Sequence, residues 1–113
     1  MKFNKSELYN AVVVSFQGKL MGGPDMADFH DFLKETTDSN KKNIIVDLSK
    51  VKYVNSSGIG SLISGFTSVK NAGGELVLSG LSPKIKGVLS ITKLNSIFKI
   101  YDSQEEAAAG FEA

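Results

Sequence analysis

Apolar and polar positions alternate with two different periods along this chain, and the shorter period marks its strands. Residues 11–16 are rich in β-branched and aromatic side chains, and a weaker strand candidate precedes them at residues 3–9. Residues 43–48 form an apolar run, which is typical of a strand buried on both faces. Residues 75–79 and 97–101 are further candidates. The pattern therefore predicts a sheet of four to five strands.

The longer, helical period predicts about four helices between and after these strands. Pro24 suits the first position of the first helix, and Gly73-Gly74 ends the second. The predicted caps of the last two helices are Ser82 (followed by Pro83) and Ser103 (with Glu106 three residues later). The positions expected to face the core are Met26, Phe29, Phe32, Leu33 and Thr36, then Ile59, Leu62, Ile63, Phe66 and Val69, then Ile85, Val88, Leu89 and Leu94.

Strands that alternate with helices over the last two-thirds of the chain predict an α/β fold with a mixed, mostly parallel sheet. The first two strands have no helix between them, so we expect them to pair antiparallel. We expect residues 1–113 to form one domain. A short turn connects the strand at 43–48 to the second helix, and α/β folds place their sites beyond the carboxyl ends of strands.

Composition narrows the functional classes. The chain has 113 residues, 42% of them hydrophobic and 22% charged, and a net charge of +1. All 13 basic residues are lysine, which argues against nucleotide processing and nucleic-acid binding, because both favour the planar fork of arginine. Without cysteine, a signal peptide or a long apolar run, the chain is expected to be cytoplasmic and to have no contact with a membrane.

Catalysis, cofactors and metals are not expected. A nucleophilic serine needs a base, and the only histidine, His30, lies among the acids of the first helix. Those acids are spread along a helix face, which indicates a solvated surface rather than a metal site. The run from Gly58 to Ile63 begins like a dinucleotide fingerprint, but Ile63 replaces the third glycine. We expect Gly58 and Gly60 to allow another backbone, either a neighbouring strand or a partner protein, to approach the helix.

Ser56 and Ser57 stand at the predicted start of the second helix. One interpretation is structural, in which Asn55 or Ser56 caps the helix and contributes about 1 kcal/mol. The other is functional, because the amide groups and the dipole of a helix N-terminus favour a negative charge. A serine at this position can therefore accept a phosphate without disrupting the fold.

The residues around this turn carry a family resemblance. Val46-Asp47-Leu48-Ser49 followed by Tyr53-Val54-Asn55-Ser56-Ser57-Gly58-Ile59-Gly60 resembles the signature of the STAS domain family, and within it the anti-sigma factor antagonists. The resemblance extends over nearly the whole chain, including residues 73–78, 82–83 and 98–100.

The resemblance implies a function in bacterial transcription regulation by partner switching. The unphosphorylated form would bind an anti-sigma factor that is also a serine kinase, and so release a sigma factor. The kinase would phosphorylate Ser56, with Ser57 the weaker candidate, and a serine phosphatase would reverse the modification. The expected partner-binding residues are Asn55, Ser56, Ser57, Gly58 and Gly60.

The chain departs from the family pattern at two places, and two alternative functions stay open. The family usually has aspartate where this chain has Asn55, which keeps a capping oxygen without the charge. It commonly has an acidic residue before the first helix, where this chain reads Lys19-Leu20-Met21-Gly22-Gly23. The first alternative is an unphosphorylated STAS accessory subunit of a transport or stress-sensing complex. The second is a small-molecule sensor.

Overall fold

The computed structural model describes residues 3–22 and 26–111, within which strands and helices succeed one another. The strands are β1 (Phe3–Leu8), β2 (Ala11–Leu20), β3 (Asn43–Val54), β4 (Glu75–Ser79) and β5 (Ile100–Tyr101). The α-helices are α1 (Ala27–Asp38), α2 (Ser56–Asn71), α3 (Pro83–Ile91) and α4 (Gln104–Gly110). A short 3-10 helix, Leu94–Ser96, follows α3. No helix within these ranges is both long enough and apolar enough to cross a lipid bilayer.

The five strands form one sheet in the order β1-β2-β3-β4-β5. β1 and β2 pair antiparallel, whereas the pairs β2–β3, β3–β4 and β4–β5 are all parallel. The predicted α/β class, the mostly parallel sheet and the antiparallel first pair are therefore confirmed. Because β2, β3 and β4 are parallel, their carboxyl ends lie at the same end of the sheet. The helix α2 begins there.

The two faces of the sheet bury different sets of side chains. Alternate residues of β3, such as Ile44 and Val46, point toward α1, α2 and α3 and are completely buried. Ile45 points to the opposite face, where Ala107 and Ala108 of α4 cover it. Three helices thus pack on one face and one short helix on the other, which leaves the strand ends free to carry loops.

β3 is longer than the sequence predicts. The apolar run ends at Leu48, but the strand continues to Val54. The reason is tertiary: β2 also extends to Leu20, and its last residues pair with those of β3, as in Lys19 with Tyr53. The expected turn of several residues between the strand and the second helix is therefore wrong, because Asn55 alone connects β3 to α2.

The last strand is shorter than the sequence predicts. Residues 97–101 were expected to be extended, but only Ile100–Tyr101 pairs with β4. Lys93 adopts a left-handed conformation and starts the 3-10 helix, so the chain turns and buries Phe98 in the core before it reaches the sheet. The predicted role of Pro24 as the first residue of a helix falls outside the described residues.

Candidate functional site

Asn55 organises the junction between β3 and α2. Its side-chain Oδ1 accepts a hydrogen bond from the backbone N–H of Gly58 at 2.8 Å, which makes it the N-cap of α2. Its own backbone N–H donates to the Leu20 carbonyl at 3.2 Å, and its carbonyl accepts from Ile59 at 3.0 Å. These bonds hold the first turn of α2 against the end of β2. Of the two predicted caps, Asn55 is the correct one.

Ser56 and Ser57 are the first two residues of α2, and both are exposed. Among the residues that the structure describes, neither hydroxyl has a hydrogen-bond partner. The first amide groups of a helix have no acceptor within the helix, so both hydroxyls lie where an anion is favoured. The junction is held by Asn55, so the two hydroxyls remain free for chemistry or for contact with another molecule.

Gly58 and Gly60, which the sequence treats as a pair, have different environments. Gly58 is buried, and a Cβ atom there would overlap the Leu20 carbonyl group, with its carbon only 2.7 Å away. Gly60 is exposed, and a Cβ atom there would meet nothing within 4 Å. Of the two kinds of approaching backbone predicted, Gly58 thus accommodates a neighbouring strand of its own fold. The fold imposes no such requirement at Gly60.

The loop after β2 supports the same junction. Gly22 has a positive φ of 73°, and a Cβ atom there would lie 2.6 Å from the backbone oxygen of Ser57. A larger residue would therefore both strain the backbone and push against the start of α2. Met21, immediately before it, is 46% exposed. The loop that departs from the family pattern thus lies directly against the serine pair.

Two exposed apolar side chains, Met21 and Tyr53, flank the junction. Tyr53 is 41% exposed, and the Nζ atom of Lys84 lies 5.9 Å from the centre of its ring. Neither was among the expected partner-binding residues, because the exposure of an apolar side chain is decided by the tertiary structure. We call Met21, Tyr53, Asn55, Ser56, Ser57 and Gly60 the serine surface.

The other residues considered for chemistry lie elsewhere. Asp47 of the signature points to the opposite face of the sheet, where its carboxylate accepts hydrogen bonds from the Ser49 backbone and the Gln104 side chain. It therefore anchors α4 and takes no part in the serine surface. His30 is half-buried on α1, where its ring packs against Phe29 at 5.4 Å between centroids.

The glycines of the apparent dinucleotide fingerprint lie inside α2, which begins at Ser56. A phosphate-binding loop needs its glycines ahead of the helix, so that the backbone can approach the pyrophosphate. The arrangement favours the steric interpretation of Gly58. Lys84 and Lys86 of α3 and Lys93 after its end are exposed, and the Nζ atom of Lys86 lies 3.4 Å from Oδ1 of Asp102.

The fold and this junction together define a small α/β binding module that presents an exposed serine at a helix N-terminus. A family model described as "STAS domain" matches residues 2–107. The chain belongs to the STAS domain family.

Individual relatives and solved structures are consistent with this assignment. BtrV of Bordetella bronchiseptica is 26% identical over 112 residues, which cover 99% of this chain and 96% of BtrV. An anti-sigma-B factor antagonist of Listeria monocytogenes is 36% identical over 61 residues, which cover 54% of each protein.

The anti-sigma factor antagonist SpoIIAA has a similar fold in two solved forms. The unphosphorylated form gives a TM-score of 0.72 at 18% identity and covers 96% of both chains. The phosphorylated form, from Bacillus, gives a TM-score of 0.73 at 18% identity, with 97% of this chain and 99% of that chain covered. At this level of identity the likeness concerns the fold alone.

Proposed function

We propose that this protein is an anti-sigma factor antagonist whose binding is switched by phosphorylation of Ser56. In its unphosphorylated form it binds an anti-sigma factor with serine-kinase activity through the serine surface, and a sigma factor is released. The kinase transfers a phosphoryl group to the Ser56 hydroxyl, and a serine phosphatase removes it. The protein itself performs no catalysis.

One observation carries the proposal: the Ser56 hydroxyl is exposed at the first residue of α2 and bonds to nothing in the described structure. Asn55 supplies the cap, so the fold does not need the Ser56 side chain. Ser57 is also exposed, but its backbone carbonyl and Cβ lie against Gly22, which places it closer to the rest of the molecule. For this reason Ser56 is the preferred acceptor.

Phosphorylation would weaken partner binding without unfolding the domain. A phosphate brings a charge of about −1.5 to −2 at pH 7, which the N-terminus of α2 tolerates. The same charge opposes burial against a partner that has been adapted to a neutral hydroxyl, because its hydration is lost. A penalty of about 3 kcal/mol would weaken the complex by a factor of roughly 100. The domain should therefore stay folded while the interface is lost.

The names and structures of the relatives support this role. The similar protein of Listeria monocytogenes is named as an anti-sigma-B factor antagonist. SpoIIAA was solved in both unphosphorylated and phosphorylated forms, and the fold of this chain is about equally similar to each. Our proposal applies that kind of modification to Ser56.

The test combines mass spectrometry with binding measurements. The protein is incubated with ATP and a co-encoded kinase-type anti-sigma factor, and we expect one added phosphate on Ser56. Ser56→Ala should bind the kinase with native affinity, whereas Ser56→Asp should bind it poorly. Ser64→Asp is the matched control, because it adds the same charge to an exposed serine further along α2. Native binding by Ser56→Asp would refute the switch.

The alternative is an unphosphorylated accessory subunit of a transport or stress-sensing complex, and the same experiment distinguishes it. In that case the mass would not change, and a stable complex with the transporter would form. Modification at Ser57 alone would preserve the class of mechanism but move the acceptor by one residue, and Ser57→Ala would then abolish it.

A further inference from the structure

β1 leaves one side of the sheet unpaired. It is the first strand in the sheet order, and within the described residues no strand lies beyond it. Asn4, Lys5, Ser6 and Glu7 are all exposed. The hairpin turn between β1 and β2 has two residues, so the pair Leu8–Ala11 that closes it is hydrogen-bonded. The edge of β1 therefore resembles a template for one more strand.

The alternation of an antiparallel ladder shows which backbone groups are available. Because Leu8 pairs inward with β2, the next residues along the strand alternate between inward and outward. The N–H and C=O groups of Phe3, Lys5 and Glu7 therefore point away from the sheet. The side chains of these three residues lie on the α1 side, since Phe3 packs against Phe29 at 6.1 Å between ring centroids.

An open groove runs between this edge and α1. Its floor is aromatic, with Phe3 and Phe32 at 6.1 Å between ring centroids. Its wall is acidic, because the three carboxylates of Asp28, Asp31 and Glu35 line it from α1. Among the described residues none of these carboxylates has an ion-pair partner. The groove thus offers strand-pairing groups, an apolar floor and uncompensated negative charge.

The Phe32 ring already accepts a cation. The Nζ atom of Lys5 lies 5.0 Å from its centre, in the range of a cation–π contact. Among the described residues that line the groove, Lys5 supplies one positive charge against three carboxylates, so their sum is negative. A second lysine or arginine side chain entering beside Lys5 would find both an aromatic face and a carboxylate.

We propose that the β1 edge and this groove bind an extended segment of a partner protein, which adds a sixth strand with lysine or arginine at alternate positions. Alternate side chains of an added strand point to the same face, so the basic ones would all meet the α1 wall. This surface is separate from the serine surface, and it would let the protein hold a second partner independently of phosphorylation.

A second copy of this chain suits the edge less well. An antiparallel β1–β1 pair keeps both copies of α1 on the same face of the joined sheet. The acidic stripes of the two helices would then oppose each other, and like charges in this arrangement are unfavourable. The charge of the groove therefore selects a basic partner over self-association.

The test uses a synthetic peptide of about eight residues, a typical strand length, with alternating lysine and valine. Titration into labelled protein, followed by NMR, should shift the signals of residues 3–8 and 28–35 and leave those of α2 unchanged. A matched peptide with glutamate in place of lysine should bind about tenfold more weakly or less. The affinity for the lysine peptide should also fall as salt rises.

Two substitutions separate edge pairing from charge. Lys5→Pro removes an outward N–H without touching the β1–β2 ladder, so the protein should fold but lose the peptide. Lys5→Ala, its matched control, should bind at least as well as the native chain. Asp31→Lys should weaken peptide binding by about tenfold, since it reverses one exposed charge.

Several outcomes would overturn the proposal. Equal binding of the lysine and glutamate peptides would remove the stated chemistry, and unchanged binding by Lys5→Pro would remove the strand addition. Sedimentation that shows a dimer abolished by Lys5→Pro would assign the edge to a second copy instead. All these results are independent of Ser56 modification.

Discussion

The two glycines near the start of α2, Gly58 and Gly60, allow the sharpest test of this structure. Gly58→Ala and Gly60→Ala are identical chemical changes in the first turns of α2, two residues apart. At Gly58 the new methyl group would overlap the Leu20 carbonyl, whereas at Gly60 it would meet nothing within 4 Å. The structure therefore predicts opposite effects on the free energy of unfolding.

The magnitudes follow from one stabilising contribution and two destabilising ones. Alanine is favoured over glycine in a helix by about 1 kcal/mol, which applies at both positions. At Gly58 this gain is opposed by overpacking against a backbone group that cannot rotate away, at a cost of about 1–3 kcal/mol. Displacing the Leu20 carbonyl also weakens its hydrogen bond from Asn55, worth about 1 kcal/mol. We expect Gly58→Ala to lose about 1–3 kcal/mol and Gly60→Ala to gain about 0.5–1 kcal/mol.

Urea unfolding followed by circular dichroism measures both values. With a slope of about 1–3 kcal/mol/M, the midpoints of the two variants should differ by about 0.5 M or more. The slopes should stay equal, because neither change alters the surface exposed on unfolding. Coincident midpoints would refute the reasoning, since they would mean that the end of β2 at Leu20 shifts without cost. A lower midpoint for Gly60→Ala would refute it as well.

Three further expectations concern the junction, the docking surface and α4. Asn55→Ala should lower the free energy of unfolding by about 1 kcal/mol, whereas Asn55→Asp should keep the cap and gain from the dipole. An equal loss in both variants would contradict the capping role. Gly60→Leu should, like Gly60→Ala, raise the free energy of unfolding by about 0.5–1 kcal/mol, yet weaken kinase binding about tenfold, measured by calorimetry. Ser103→Ala should cost about 1 kcal/mol and speed amide exchange within α4, leaving α2 protected.

Much of the candidate site could be predicted from local sequence signals. Asn55 caps α2 through a bond to a residue three positions away, and such short-range chemistry is visible in the residue order. The same holds for Ser103, which accepts a hydrogen bond from the Glu106 amide as predicted. The alternation of strands and helices likewise led to the correct fold class. The functional role of the serine surface stays a prediction.

Some features could not be predicted from the sequence because they depend on contacts between segments that are distant along the chain. The length of β3 was underestimated because the apolar run ends at Leu48, and the second half of the strand, in which polar and apolar residues are mixed, is paired only with the extended β2. Gly58 could not be distinguished from Gly60, because the group that makes Gly58 necessary belongs to Leu20. Asp47 stands within the family signature, but its strand position turns it toward α4 and away from Ser56.

The residue pattern by itself determined the element types, the mostly parallel sheet and the position of a serine at a helix start. These depend on periodicity and on capping, which act over a few residues. Only the tertiary structure decided that both serine hydroxyls are exposed and that β1 borders an acidic groove. It also decided that there is space for a side chain at Gly60 but none at Gly58. Exposure and close approach depend on which surfaces meet after the chain has folded, and no local pattern encodes that.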